Sequence, residues 1–127
     1  MLLIPPIVYH RRRRRAARPR AVIPLVLVAA VYDQAVAIQL TFDRAIDVAG
    51  LVASQIIVDD GEFEGHRYQA TGEVDLFNPE TAYLYMQSIG PATGDETFLD
   101  AGPGTGIVAL SNGGAWAGAS HLLLPFP

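Results

Sequence analysis

The side chains able to do chemistry fall into a few groups, and the first is cationic. Arg11, Arg12, Arg13, Arg14 and Arg15 are consecutive, and Arg18 and Arg20 follow closely. A guanidinium run this dense can neutralise phosphates or dock on an acidic protein surface. No recognition helix is predicted beside it and Tyr9 is its one flanking aromatic, so nucleic-acid contact would be non-specific and salt-sensitive. The second group is acidic. Asp59, Asp60, Glu62 and Glu64 lie within six positions and offer oxygen ligands of the kind Ca²⁺ takes, but not at the spacing of an EF-hand loop. The pattern predicts a solvated acidic hairpin tip.

Other motifs fall short of catalysis. Gly102-Pro103-Gly104-Thr105-Gly106 has the glycines of a phosphate-binding loop without its closing Lys and Ser/Thr, and the following Ile107-Val108 reads as strand, so a surface loop is expected. His10, His66 and His121 show no paired ligand spacing, and no Ser sits in a nucleophile elbow. There is no Cys, which excludes disulfides, thiolate metal sites and thiol nucleophiles. These residue types predict no enzyme, no metal site and no cofactor. Tyr83 and Tyr85, one residue apart in a strand pattern, are expected side by side on an outer face, suited to a protein or glycan contact. Trp116, among small neighbours, is expected in the core.

The charges are sharply divided along the chain. Residues 1–20 hold seven Arg and no acid, whereas residues 21–127 hold all thirteen acids against Arg44 and Arg67, giving +7 and −11. Length and an apolar half of the composition fit one domain with an appendage. Residues 1–20 are that appendage. Leu2, Leu3, Ile4, Ile7, Val8 and Tyr9 make an apolar docking peptide that Pro5-Pro6 keeps from helix, and the Arg run is too self-repelling to fold alone.

The positioning elements read as strands from about residue 21 onward. Val36, Ile38, Leu40 and Phe42 alternate with small or polar residues, so they are expected to form one buried face. Leu25–Tyr32 is expected to pair with this strand around Asp33-Gln34. Asp47–Gln55 reads as an irregular crossover, and Ile56–Val58 as a short strand closed by Asp59-Asp60-Gly61. His66–Thr71 and Glu73–Phe77 are two short strands around Gly72, and Asn78-Pro79-Glu80 is a turn. Thr81–Ile89 is a strand with Ala82, Leu84 and Met86 on one face. Gly90–Gly94 is a turn, Glu96–Asp100 a strand, and His121–Phe126 an apolar tail. Short strands punctuated by regular turn signals, with no sustained helical period, predict an all-β antiparallel sandwich.

Ile38-Gln39-Leu40-Thr41-Phe42-Asp43-Arg44-Ala45-Ile46-Asp47 resembles a strand of bacterial Ig-like repeats of the SwmB type. Asn78–Met86, Gly94-Asp95-Glu96-Thr97 and Gly104–Val108 through Gly113 are similar to later segments of those repeats. The resemblance implies an Ig-like sandwich over roughly residues 25–118. A single such module with a basic leader is also similar to Ig-like accessory proteins of phage virions. By that analogy the expected function is structural: a subunit or accessory protein of a larger assembly, forming homo-oligomers or contacts with other chains through an extended arm. Two alternatives stay open. One is a secreted or cell-surface carbohydrate- or cell-adhesion module with residues 1–30 as signal, since a basic stretch precedes the apolar run Ala21–Val31 and Ala29-Ala30. The other is a non-specific nucleic-acid-binding accessory protein. The run is too short to span a bilayer.

Overall fold

A computed structural model describes residues 22–125. The expectations placed on residues 1–20, the docking peptide and the Arg run, lie outside the described residues. Nine strands follow: β1 (Leu27–Asp33), β2 (Ala37–Phe42), β3 (Ile46–Asp47), β4 (Ile56–Asp60), β5 (His66–Asn78), β6 (Thr81–Pro91), β7 (Thr97–Ala101), β8 (Val108–Ala109) and β9 (Ala119–Leu123). The fold is all-β, with one short 3₁₀ turn at Ala53–Gln55. Seven strands make one antiparallel sheet in the order β1-β2-β6-β5-β4-β7-β9, while β3 pairs with β8. Because neighbours alternate in direction, the two edge strands β1 and β9 run parallel. The sheet curls until those edges approach, and Leu25 donates its N–H to Ala115 at 3.2 Å beside a parallel bridge to Trp116.

The alternation in β2 sets the core. Ile38, Leu40 and Phe42 are buried, and the register Ile38↔Leu84 and Leu40↔Ala82 places them across from the buried residues of β6. Each such side chain contributes roughly 1.5–3 kcal/mol by leaving water. Trp116 closes the core as expected, edge-on to Phe42 with ring centroids 5.3 Å apart. Val36, expected on the same buried face, is instead exposed. It belongs to the turn Gln34–Val36, where Ala35 has φ 66° and the Val36 N–H donates to Asp33, so β2 begins one residue later.

Four further expectations are corrected. The two short strands around Gly72 are one long strand: the register passes from Ala70↔Met86 to Val74↔Leu84, leaving two extra residues on β5, and Gly72 takes φ 101° in that bulge. β6 likewise continues through Gly90 to Pro91, into the stretch expected to turn. The apolar C-terminal tail contributes a paired strand, β9, with Leu122 opposite Leu99. In the expected surface loop, Pro103 and Gly104 are exposed but Thr105 is fully buried, because its carbonyl accepts the Val52 N–H at 2.7 Å and anchors the crossover.

Candidate functional site

At one rim of the sheet β1, β4, β6 and β9 finish and β2, β5 and β7 begin. Asp59 and Asp60, the last residues of β4, therefore point to opposite faces. Asp60 is fully buried and accepts from the Tyr32 hydroxyl at 2.7 Å, the Phe63 N–H at 2.8 Å and the Thr97 hydroxyl at 3.0 Å. Burial pushes its carboxyl up, but these donors together outweigh burial and hold it below the usual carboxylate range. Tyr32 is pushed up, first by burial, with Asp60 adding to the shift. Asp59 faces outward yet is buried, accepting from the Thr93 hydroxyl at 2.6 Å and its N–H at 3.1 Å, with Arg67 Nε 3.8 Å away.

These positions correct the expected solvated tip. Glu62 and Glu64 are exposed, but Asp59 and Asp60 are interior residues whose oxygens are already engaged. Among the described residues no three His, Asp or Glu side chains are placed to hold a metal ion. Sequence spacing could not reveal this arrangement, because the partners Tyr32 and Thr97 lie 28 and 37 positions away. Five exposed carboxylates stand at this rim: Glu62, Glu64 and Asp95, with Asp33 and Glu96, which also meet Tyr83 and His121.

Tyr83 and Tyr85 stand on the outer face of β6, as their spacing predicts. The Tyr83 hydroxyl donates to Asp33 at 2.5 Å and that of Tyr85 to Asp75 at 2.6 Å, fixing both rings. These hydrogen bonds, ahead of partial burial, raise the Tyr83 hydroxyl and push Tyr85 up to about 12. The rings meet edge to face at 5.2 Å. Phe77 stacks on Tyr83 at 4.7 Å and 20° while staying largely exposed, which adds a third ring that the sequence reading passed over. Its signal was available in outline: Phe77 lies two residues from Asp75 on the outer face of β5, and Asp75 is the residue directly opposite Tyr83.

The third feature is the β1 edge. Val28 and Val31 are 45% and 55% exposed along a strand at the end of the sheet, and Val26 just before it is 51% exposed. The segment leading into it is tightly fixed. Arg44 donates to the carbonyls of Ile23 and Pro24 at 2.5 and 2.6 Å, and Asp43 accepts the Val26 N–H. A Cβ on Gly114 would come within 2.0 Å of the Ile23 carbonyl, so only glycine lets the two backbones approach here. Two shallow grooves of about 400 and 250 Å³ follow the seam between β1 and β9, lined mainly by apolar side chains including Leu27, Leu122, Tyr32 and Leu124.

A larger open cleft of about 660 Å³ lies beside the Gly102 loop, with Ser54, Gln55, Asp100 and Ser120 as its polar lining. It holds no His and no paired nucleophile and base. Ser88 and His66 approach only to 3.5 Å, both exposed, and His121 instead contacts Glu96 at 2.9 Å and stacks on Phe98. No helix among the described residues is long and apolar enough to cross a membrane. Comparison with protein-family models, curated proteins and solved structures finds no match.

Proposed function

We propose that this chain is a non-enzymatic structural protein, an Ig-like sandwich that joins a larger assembly by docking residues 1–20 on neighbouring chains. The strand order β1-β2-β6-β5-β4-β7-β9, with β1 beginning parallel to the segment before β9, supports the Ig-like reading. The bulge in β5 is a point at which such a sheet would bend into two layers, which supports the sandwich reading. A phage virion is the kind of assembly the sequence resemblance implies.

The observation that carries the functional reading is the charge division. Residues 1–20 are +7, the remainder is −11, and five exposed carboxylates gather at one rim. Opposite charges on separate parts of identical chains favour association in trans, steering encounter before short-range contacts form. The fixed aromatic group Phe77, Tyr83 and Tyr85 gives the same body a rigid face for a protein neighbour. The position of Ala30 weighs against residues 1–30 as a cleaved signal: it is buried in the middle of β1, and cleavage there would remove Leu25 and Leu27 from the core.

Light scattering of the full chain and of a chain lacking residues 1–20 tests this. The full chain is expected to exceed its 13.6 kDa monomer mass in a salt-sensitive way, and the shortened chain to stay folded and monomeric. A full chain that remains monomeric at every concentration and salt level contradicts the proposal.

A further inference from the structure

We infer that the free edge of β1 pairs with β1 of a second copy, antiparallel across a two-fold axis, carrying each copy's Arg-rich segment to the other copy's acidic rim. This rests on the assembly reading above and names its surface and partner.

The two edges of the sheet are treated differently. Exposed edge strands invite pairing unless a charge, proline or irregularity blocks them. β9 is blocked in this way: its register with β7 slips between Leu99 and Ala101, His121 takes φ 49°, and Pro125 follows. β1 is open. Pro24 lies three residues before it and the exposed Asp33 ends it, but from Leu25 to Tyr32 there is no charge and no proline, Val28 and Val31 are exposed, and after the irregularity at Leu27–Ala29 the register is unbroken from Ala29 to Asp33.

Charge then selects the occupant. Arg44 fixes Ile23 and Pro24 at the end of β1 away from the acidic rim. Residues 1–20 thus join the body about 23 Å, one seven-residue strand, from Asp33, Glu62 and Glu64. Antiparallel pairing of two β1 strands puts that end of each copy beside the other copy's rim, so both charge sets are matched at once. A cis alternative, with Met1–Tyr9 filling the β1–β9 seam, places Pro5-Pro6 between two strands, where each proline lacks the N–H a ladder needs. One edge pair is also small beside the roughly 1,600 Å² of a standard stable interface. The Arg-rich segments supply the remaining contact, which makes the dimer depend on both features.

The absence of cysteine gives a clean background for the test. Single substitutions Val28→Cys, Ala29→Cys and Val31→Cys, placed in the full chain and oxidised, are expected to give disulfide-linked dimers at one or more of these positions. Val52→Cys, exposed away from β1, is expected to give none. Val31→Lys should weaken self-association of the full chain by roughly tenfold or more, while in the chain lacking residues 1–20 it leaves the unfolding midpoint unchanged because Val31 is exposed. If the full chain self-associates while no β1 cysteine crosslinks and Val31→Lys has no effect, the inference falls and the assembly reading survives. A full chain that is monomeric throughout removes both.

Discussion

Tyr32 with Asp60 and Tyr85 with Asp75 are the same pair of groups placed in two settings. In the first, the carboxylate is fully buried, and the phenol reaches it from the neighbouring edge of the curled sheet at 2.7 Å. In the second, the pair lies on the outer face at 2.6 Å and stays partly in water. A hydrogen bond to a buried charge must be kept because the alternative is an unsatisfied ion, whereas an exposed pair can exchange its partner for water. The inner pair ties β1 to β4 and belongs to stability. The outer pair fixes the orientation of an aromatic surface.

The largest expected effect follows from deleting the inner acceptor. Asp60→Ala leaves the Tyr32 hydroxyl, the Phe63 N–H and the Thr97 hydroxyl without their acceptor and should cost about 3 kcal/mol or more in denaturant unfolding. A loss as small as that of a surface substitution would break the contrast. Tyr32→Phe removes one donor to Asp60 and the acceptor of the Ala35 N–H, and should cost roughly 1–3 kcal/mol by the same measurement.

The two pairs also differ in their response to pH. The folded Asp60 carboxyl lies below its unfolded value, so its stabilisation is complete above the ordinary carboxylate range and fades as pH falls through the lower folded value. Unfolding free energy should therefore decline on acidification, and Asp60→Asn should flatten part of that decline. On the outer face, spectrophotometric titration should find Tyr85 ionising at about 12, and Asp75→Asn should return it toward the ordinary phenol range. The smallest effect is expected for Tyr83→Phe, whose unfolding midpoint should match that of the parent chain. A clear fall would show that the outer rings support the fold.

The sequence disclosed what depends on short-range pattern. The alternation of Ile38, Leu40 and Phe42, and that of Ala82, Leu84 and Met86, predicts both central strands, because a two-residue period needs only near neighbours. Tyr83 and Tyr85 were legible as a shared outer face for the same reason. Asp59 and Asp60 were not. Asp-Asp-Gly is turn-like by composition, and only partners from β1, β7 and the loop before β7 convert it into the end of a buried strand. The bulge at Gly72 was hidden too, since a glycine between short apolar runs reads equally as a break or as an irregularity within one strand. The β1 edge shows a related limit: its valines look like core in sequence, and their exposure follows from the strand order, which leaves β1 at the end of the sheet.

The proposed association runs through residues 1–20 and the β1 edge. Amide hydrogen exchange across β1, compared between the full chain and the chain lacking residues 1–20, tests it most directly. The outward amides of Ala29–Asp33 are expected to be protected in the full chain, more so as concentration rises, and to exchange quickly once residues 1–20 are removed, while β2 and β6 stay protected in both. Equal, rapid exchange along β1 in the two chains at every concentration would contradict the claim.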